Sequence, residues 1–332
     1  MNDLDWCKNM LPKVSRTFAM GIQMMPAPFE SWITIGYLLC RVVDTIEDTE
    51  NLAWPVRKNL FDAFETALQS GDIAAFNAGL DVLPNNDDGE LCQGLDRILN
   101  CMYTFPEPVQ DSLRKWVGEM TGGMAIYAKR HTFTQGLTTL MDMTDLDRYC
   151  YFVAGTVGHL LTDLFLLGAP KTQQNANRLR EHSEGFGLLL QMTNIVKDVT
   201  DDHPREWCFI PASVCSQMGT TSAQLLDPTH SRAAQAAVDQ VNLRARTYYA
   251  DAVAYVLALP ETEVELRRFC LFPMLLAGQT LDLALGNPAC ITPDQAVKIS
   301  RQNVMEVAAL VEDLVDDDLA IAALTLIEPA QA

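Results

Sequence analysis

The sequence predicts an all-α chain folded as one domain. Three observations carry this: apolar residues recur at helical spacing through most of the length, strand-type alternation is nearly absent, and no shift of composition, repeat or low-complexity tract divides the chain. Residues 32–43 form an apolar, helix-compatible run that leads directly into an acidic cluster. Residues 56–68 follow with amphipathic spacing, Arg57 and Lys58 on the wet side. Residues 81–90 carry Pro84, Asn85, Asn86, Asp87, Asp88 and Gly89 and read as a loop. A short helix is expected over 91–103, stopped near Pro106 and Pro108. A long one follows over 109–130, where Gly118, Gly122 and Gly123 weaken helicity and imply close packing or ligand access. Residues 145–167 form the next long helix, and 176–200 carries a second acidic cluster before the pattern breaks over 204–211. Helices over 231–259, 261–285 and 294–315 complete the chain, linked around Pro260 and Pro288.

The 332 residues, 48% of them hydrophobic, suffice for a sizeable core. Forty-three acidic residues against 24 basic ones give a formal charge of −19. That balance argues against nucleic acid as a partner, which needs concentrated positive charge. It would also repel an anionic ligand, although solvated faces alone produce the same balance. Nine cysteines show no C-x-x-C framework. Cys40, Cys150 and Cys270 read as buried small hydrophobes, and the odd count favours a reducing, cytoplasmic compartment. Residues 1–10 lack the basic start and apolar core of a secretory leader. No segment is expected to span a membrane, since the best apolar run, 269–285, is interrupted by Pro273, Gly278, Gln279 and Asp282. Peripheral contact at the inner face of the cytoplasmic membrane stays open.

The chemistry concentrates in two clusters, Asp44-Thr45-Ile46-Glu47-Asp48 and Asp198-Val199-Thr200-Asp201-Asp202. Positions i and i+4 of a helix share a face, so Asp44 aligns with Asp48 and Asp198 with Asp202. Like-charged carboxylates on otherwise apolar helices are costly without a compensating cation. Hard divalent ions such as Mg2+ take carboxylate and water oxygens and keep positions open for phosphate. Either cluster alone reads equally as a solvated helix end; together they point to a metal-dependent diphosphate site. Metal there would help diphosphate leave, and departure from an allylic carbon leaves a carbocation that apolar and aromatic walls must keep from water.

The neighbouring residues form four ordered blocks. These are Ser15-Arg16-Thr17-Phe18, then Tyr37-Leu38-Leu39-Cys40-Arg41-Val42-Val43 running into the first cluster, then Tyr149-Cys150-Tyr151-Phe152-Val153-Ala154-Gly155-Thr156-Val157-Gly158, and last Gln191-Met192-Thr193-Asn194-Ile195-Val196-Lys197 running into the second. In this order they resemble the squalene and phytoene synthase family over residues 12–285, with weaker likeness over 297–301. The resemblance implies an all-helical, single-domain isoprenoid synthase fold over 1–332 with a central active-site cavity, and a prenyltransferase that joins two prenyl diphosphates head to head. It implies Mg2+ at Asp44, Asp48, Asp198 and Asp202, with Asn194 a further metal contact or orienting diphosphate or bound water. Glu47 and Asp201 would be secondary ligands or merely solvated acids. Arg16, Arg41, Tyr37, Gln191 and Lys197 would meet diphosphate, Arg16 and Lys197 having a nearby carboxylate as the other partner. Ser15 would bind phosphate or cap the following helix. Tyr149 would handle a proton at the cyclopropyl intermediate or be a satisfied core tyrosine, while Gly155 and Gly158 would be helix-packing or cavity positions.

Within the family, Thr193-Asn194-Ile195-Val196-Lys197-Asp198 is closer to the squalene-forming pattern Thr-Asn-Ile-Ile-Arg-Asp than to the phytoene-forming one, and Phe272-Pro273 adds to this. The resemblance then implies farnesyl diphosphate as substrate, presqualene diphosphate as intermediate and NADPH as hydride donor, with Asn194, Lys298 and Arg301 as candidate cofactor contacts, the two cations reading equally as ordinary solvated ones. The sequence has no Gly-x-Gly-x-x-Gly fingerprint, so NADPH rests on the resemblance alone. No C-terminal membrane anchor of the kind familiar in eukaryotic members is read in these residues, and the expectation is a bacterial-type soluble form. Dehydrosqualene, phytoene, presqualene diphosphate or hydroxysqualene are the alternative products. A monoterpene-like cyclase and a noncatalytic helical scaffold are the alternatives outside this chemistry.

Overall fold

The computed structural model describes residues 2–15 and 18–324, and they form an all-α fold. The first helices are α1 (Asp3–Val14), α2 (Phe18–Gln23), α3 (Phe29–Asp48), α4 (Trp54–Ser70), α5 (Ala74–Asn77), α6 (Asp87–Gln93), α7 (Leu95–Tyr103) and α8 (Glu107–Phe133). Next come α9 (Met143–Cys150), a π-helical turn (Tyr151–Gly155), α10 (Thr156–Gly168), α11 (Ala176–Lys197), α12 (Val199–Asp202) and α13 (Ala212–Gln217). The last are α14 (Ser231–Thr247), α15 (Tyr249–Ala258), α16 (Val264–Ala284), α17 (Arg301–Leu314) and α18 (Asp318–Ala323). The β content among the described residues is one two-residue parallel pair, β1 (Thr138–Thr139) with β2 (Trp207–Cys208), in register Thr138 to Trp207.

Packing divides the chain into two units. One comprises residues up to Phe133 with His159–Gln173, the other Thr134–Gly158 with the residues from Gln174 onward. The spine of the first is α3, whose Ile35, Leu38, Leu39, Val42, Val43 and Ile46 are wholly buried under α1, α4, α6, α7 and α8. The spine of the second is α11, clasped by the π turn, α14, α15 and α16. Backbone meets backbone there. A Cβ on Gly158 would stand 2.2 Å from Ser183 O, and one on Gly187 2.3 Å from Ala154 O. Gly155 and Gly158 are therefore packing positions, as expected.

Several boundaries differ from expectation for physical reasons. Residues 81–90 are not loop throughout, because the Asn86 side chain accepts from Asp88 N and Gly89 N, both at 3.1 Å, and starts α6. Arg57 is not on a wet face but 3% exposed. The helix expected over 176–200 ends at Lys197, although Asp202 N still donates to Asp198 O at 2.9 Å, which keeps one-turn spacing across the break. The helix expected over 231–259 is interrupted at Tyr248, and the one expected from 294 begins at Arg301, after Asp294 at a φ of 65° and a Ser300 cap. The helical run Met143–Gly168 is, by length and composition, long and apolar enough to cross a membrane, which corrects the expectation that no segment is. All nine cysteines are free and buried.

Candidate active site

The first acidic cluster occupies the C-terminal turns of α3. Asp44 and Glu47 are half-buried and Asp48 is exposed. A carboxylate that the sequence reading left in a loop, Asp88 at the start of α6, joins them. Arg41 donates to it through both arms of its fork, Nε to Oδ1 at 2.9 Å and a terminal nitrogen to Oδ2 at 3.1 Å. Its other terminal nitrogen stands 3.9 Å from Asp44 Oδ2. Burial pushes the Asp44 carboxyl up to about 7; Arg41 opposes this, and the charges of Asp48 and Asp88 add to it. Asp44 thus holds its proton near neutral pH because burial disfavours its charge more than the single cation beside it favours it. A hard divalent ion would relieve that imbalance, and the donor set of carboxylate oxygens one turn apart is the kind Mg2+ accepts. Asp88 had one legible signal, an Asn followed by acids, which marks a helix start. Its pairing with Arg41, forty-seven residues upstream, had none.

Ser15 is 6% exposed, and its hydroxyl accepts from Phe18 N, the first residue of α2, at 3.2 Å. Tyr37 is half-buried. Burial raises its phenol, which also hydrogen-bonds Ser15 and lies 3.5 Å from Val14 O. Arg16 lies outside the described residues.

In the second unit, α11 carries Gln191, half-buried, and Asn194, exposed, one turn apart. Lys197 at its end pairs with the carboxylate of Asp198, the residue on which the helix breaks. Asp202 closes the one-turn α12, half-buried, while Asp201 is exposed. A cleft beside Asp202 is lined by Ile195, Val199, His203, Trp207 and Phe209. Tyr149, 6% exposed at the end of α9, stacks on Phe209 at 4.7 Å, and Phe209 stacks on Trp207 at 5.0 Å. The stack therefore runs from Tyr149 to the wall of the cleft at Asp202. Trp207 and Phe209 were missed in the sequence, because two aromatics in an irregular segment carry no periodicity. Lys298, on an irregular segment, and Arg301, first in α17, are both exposed. Among the described residues, no three His, Cys, Asp or Glu side chains gather as a metal cage. Mg2+ usually binds through one or two carboxylates, with substrate oxygens and waters completing its shell.

The profile of the family described as squalene/phytoene synthase matches residues 11–303. That range starts one residue before the stretch singled out in the sequence and takes in the weaker segment at 297–301. Two curated relatives are squalene synthases. That of Cyberlindnera jadinii is 28% identical over 297 residues, 89% of this chain and 64% of that protein. That of Schizosaccharomyces pombe is 27% identical over 282 residues, 85% and 60% respectively. The chain thus spans less than two thirds of the length of these relatives, and both being yeast proteins, they lend the bacterial-type expectation no support. Among solved structures, TcSQS in complex with the ligand E5700 superposes with a TM-score of 0.80 at 21% identity, covering 99% of this chain and 93% of that one. A dehydrosqualene synthase with bound ligand gives 0.65 at 19%, covering 94% and 95%. The fold is that of these isoprenoid synthases.

Proposed function

This chain belongs to the squalene/phytoene synthase family, and on that premise we propose that it is a Mg2+-dependent prenyltransferase that couples two farnesyl diphosphates head to head and reduces the product to squalene with NADPH. The observation that carries the diphosphate chemistry is Asp44 itself, lifted to about 7 chiefly by burial and set among Arg41, Asp48 and Asp88, which makes the turn a seat for a hard cation. The squalene-forming branch is supported by the Thr193–Asp198 pattern and by relatives that are themselves squalene synthases.

Mg2+, when bound, neutralises diphosphate and eases its departure. Asp44 with Asp48, and Asp198 with Asp202, offer the carboxylate oxygens, with Glu47 and Asn194 within a turn of them. Asp88 fixes the Arg41 fork beside Asp44, where it adds positive charge for phosphate oxygens; Lys197, on Asp198, does the same at the second cluster. Gln191, Tyr37, Ser15 and Arg16 complete the proposed diphosphate contacts. In the first half reaction the two chains close a cyclopropane with loss of one diphosphate and one proton. Tyr149, held by its stack, is the group assigned to that proton. The π faces of Phe209 and Trp207 favour positive charge near them and keep nucleophiles away. In the second half reaction the remaining diphosphate leaves, the skeleton rearranges and hydride ends the cation; exposed Lys298 and Arg301 are the cations proposed for the phosphates of NADPH. Membrane contact is proposed only as peripheral, for release of an apolar product.

The test is a product assay with farnesyl diphosphate and Mg2+, with and without NADPH. Squalene formed only with NADPH is the expected result. Presqualene diphosphate, hydroxysqualene or dehydrosqualene without NADPH-dependent squalene would keep the coupling site and overturn the reductive step. Turnover of only the longer geranylgeranyl substrate would move the chain to the phytoene branch.

A further inference from the structure

Three acids, Asp44, Glu47 and Asp48, sit in the last two turns of α3, the end where the helix dipole is negative and carboxylates are least welcome. The last turn of α3 has no basic residue of its own. Compensation comes from α4. Arg57, in its first turn and 3% exposed, directs its guanidinium onto the open carbonyls that end α3. One terminal nitrogen donates to Ile46 O at 2.9 Å and to Glu47 O, and the other donates to Thr49 O at 2.7 Å. Those carbonyls belong to the turn that presents Glu47 and Asp48. A buried guanidinium is costly unless its donors are used; both terminal nitrogens of this one are spent on backbone, while its Nε is buried without a hydrogen-bond partner.

We propose that Arg57 is a positioning residue that clamps the C-terminal turn of α3, holding Glu47 and Asp48 in register with Asp44 so that the cluster can receive a divalent cation and a diphosphate. The proposal rests on the reading of that cluster as a metal site. Arg57 touches neither substrate nor metal in this account; it acts through the carbonyls of Ile46, Glu47 and Thr49. A lysine carries the same charge but has one nitrogen, which cannot span carbonyls that a planar fork reaches with two.

The experiment compares wild type with R57K, R57Q and R57M by backbone hydrogen–deuterium exchange, and by binding of Mn2+ with inorganic diphosphate, read by water-proton relaxation. The amides of residues 46–49 depend on the last turn, and their exchange should speed up about tenfold or more in R57M and R57Q, and less in R57K, while α8 and α11 keep their protection. Mn2+–diphosphate affinity should fall in the same order. With farnesyl diphosphate, the Mg2+ concentration needed for half-activity should rise more than kcat at saturating Mg2+ falls. Wild-type protection of 46–49 in folded variants would overturn the clamp, as would protection lost equally throughout the chain. If R57M does not fold, R57K and R57Q decide by the same criterion. Fraying in the variants with no Mn2+–diphosphate binding by wild type would keep the clamp and remove the metal reading. Binding by wild type, with equal binding and protection in the variants, would do the reverse.

Discussion

Asp44 loses stability for the chain as it ionises. Its carboxyl is raised from an ordinary 3.8 to about 7, so the folded state holds the proton more tightly than the unfolded state. The stabilisation is complete below about pH 4 and is lost as pH rises through about 7, on the order of 1–3 kcal/mol for a partly exposed group. Metal-free wild type should therefore lose Tm against D44N between pH 5 and pH 8, a comparison that differential scanning fluorimetry makes directly. Mg2+ with inorganic diphosphate should protect wild type more at pH 8 than at pH 6, since binding needs the ionised carboxylate. Equal pH profiles for D44N and wild type would remove the assigned burial of Asp44. Removing Asp88 works on the same group twice, by deleting a negative neighbour and by freeing Arg41. D88N should shift the pH midpoint of metal protection downward while leaving the helical circular dichroism unchanged. D48N and D198N should each cut turnover by about a hundredfold or more, with the fold intact; near-wild-type rates at limiting Mg2+ would count against the metal assignment. Of these residues, Asp44, Asp48, Asp198 and Asp202 could be read from spacing, because a helical repeat exposes them. Asp88 and Arg57 could not, because their meaning lies in partners on other helices: a carboxylate in a turn-like string and an arginine on an apparently wet face look solvated until the chain is folded.

At the level of elements, the long helices were legible where apolar periodicity ran unbroken, as in α3, α4, α8 and α16. The breaks were not. Asp198 ends α11 and Tyr248 separates α14 from α15 without any Gly or Pro to announce it, since tertiary packing decides both. The glycine contacts of α11 give a sharp test. G187A places a methyl group 2.3 Å from a carbonyl oxygen of the facing backbone, and G158A one at 2.2 Å. Each should cost about 2–4 kcal/mol by urea denaturation, whereas G122A, where a Cβ would meet nothing within 4 Å, should cost nothing or gain slightly. Phe209 offers a second test at this scale. F209L removes the ring on which Tyr149 stacks and should impair the first coupling step more than diphosphate binding, as Y149F should. Single-turnover rates with unchanged first-step kinetics in both would sink the proton-handling role of Tyr149.

Over the whole molecule, charge and thiols set the behaviour. A chain of formal charge −19 should bind the proposed diphosphate substrate better as salt screens the general repulsion. All nine cysteines are buried, and burial raises the thiols of Cys40, Cys150 and Cys270. The native protein should react slowly with an aromatic disulfide reagent and titrate nine thiols in urea; fast labelling of native protein would contradict the packing. Arg267, fully buried, ties α16 to the end of α15 by donating to Leu259 O at 3.1 Å, and to the chain's later helices by donating to Val315 O at 2.9 Å and the Asp318 carboxylate.

The π turn at Tyr151–Gly155 has a consequence for how this chain can change over time. A π turn holds one residue more than an α turn, and each residue of an α-helix advances the side chains by about 100°. Tyr149 and Gly158 are therefore set by the extra residue, one toward Phe209 and the other against Ser183. Deleting any one of the five would heal the helix into a regular α form, yet would turn either the tyrosine or the glycine away from its contact. Helix propensity would improve while both contacts could not be kept together. Drift that favours the more regular helix is thus barred at this point, and length polymorphism should be absent from 149–158 even where substitutions are tolerated.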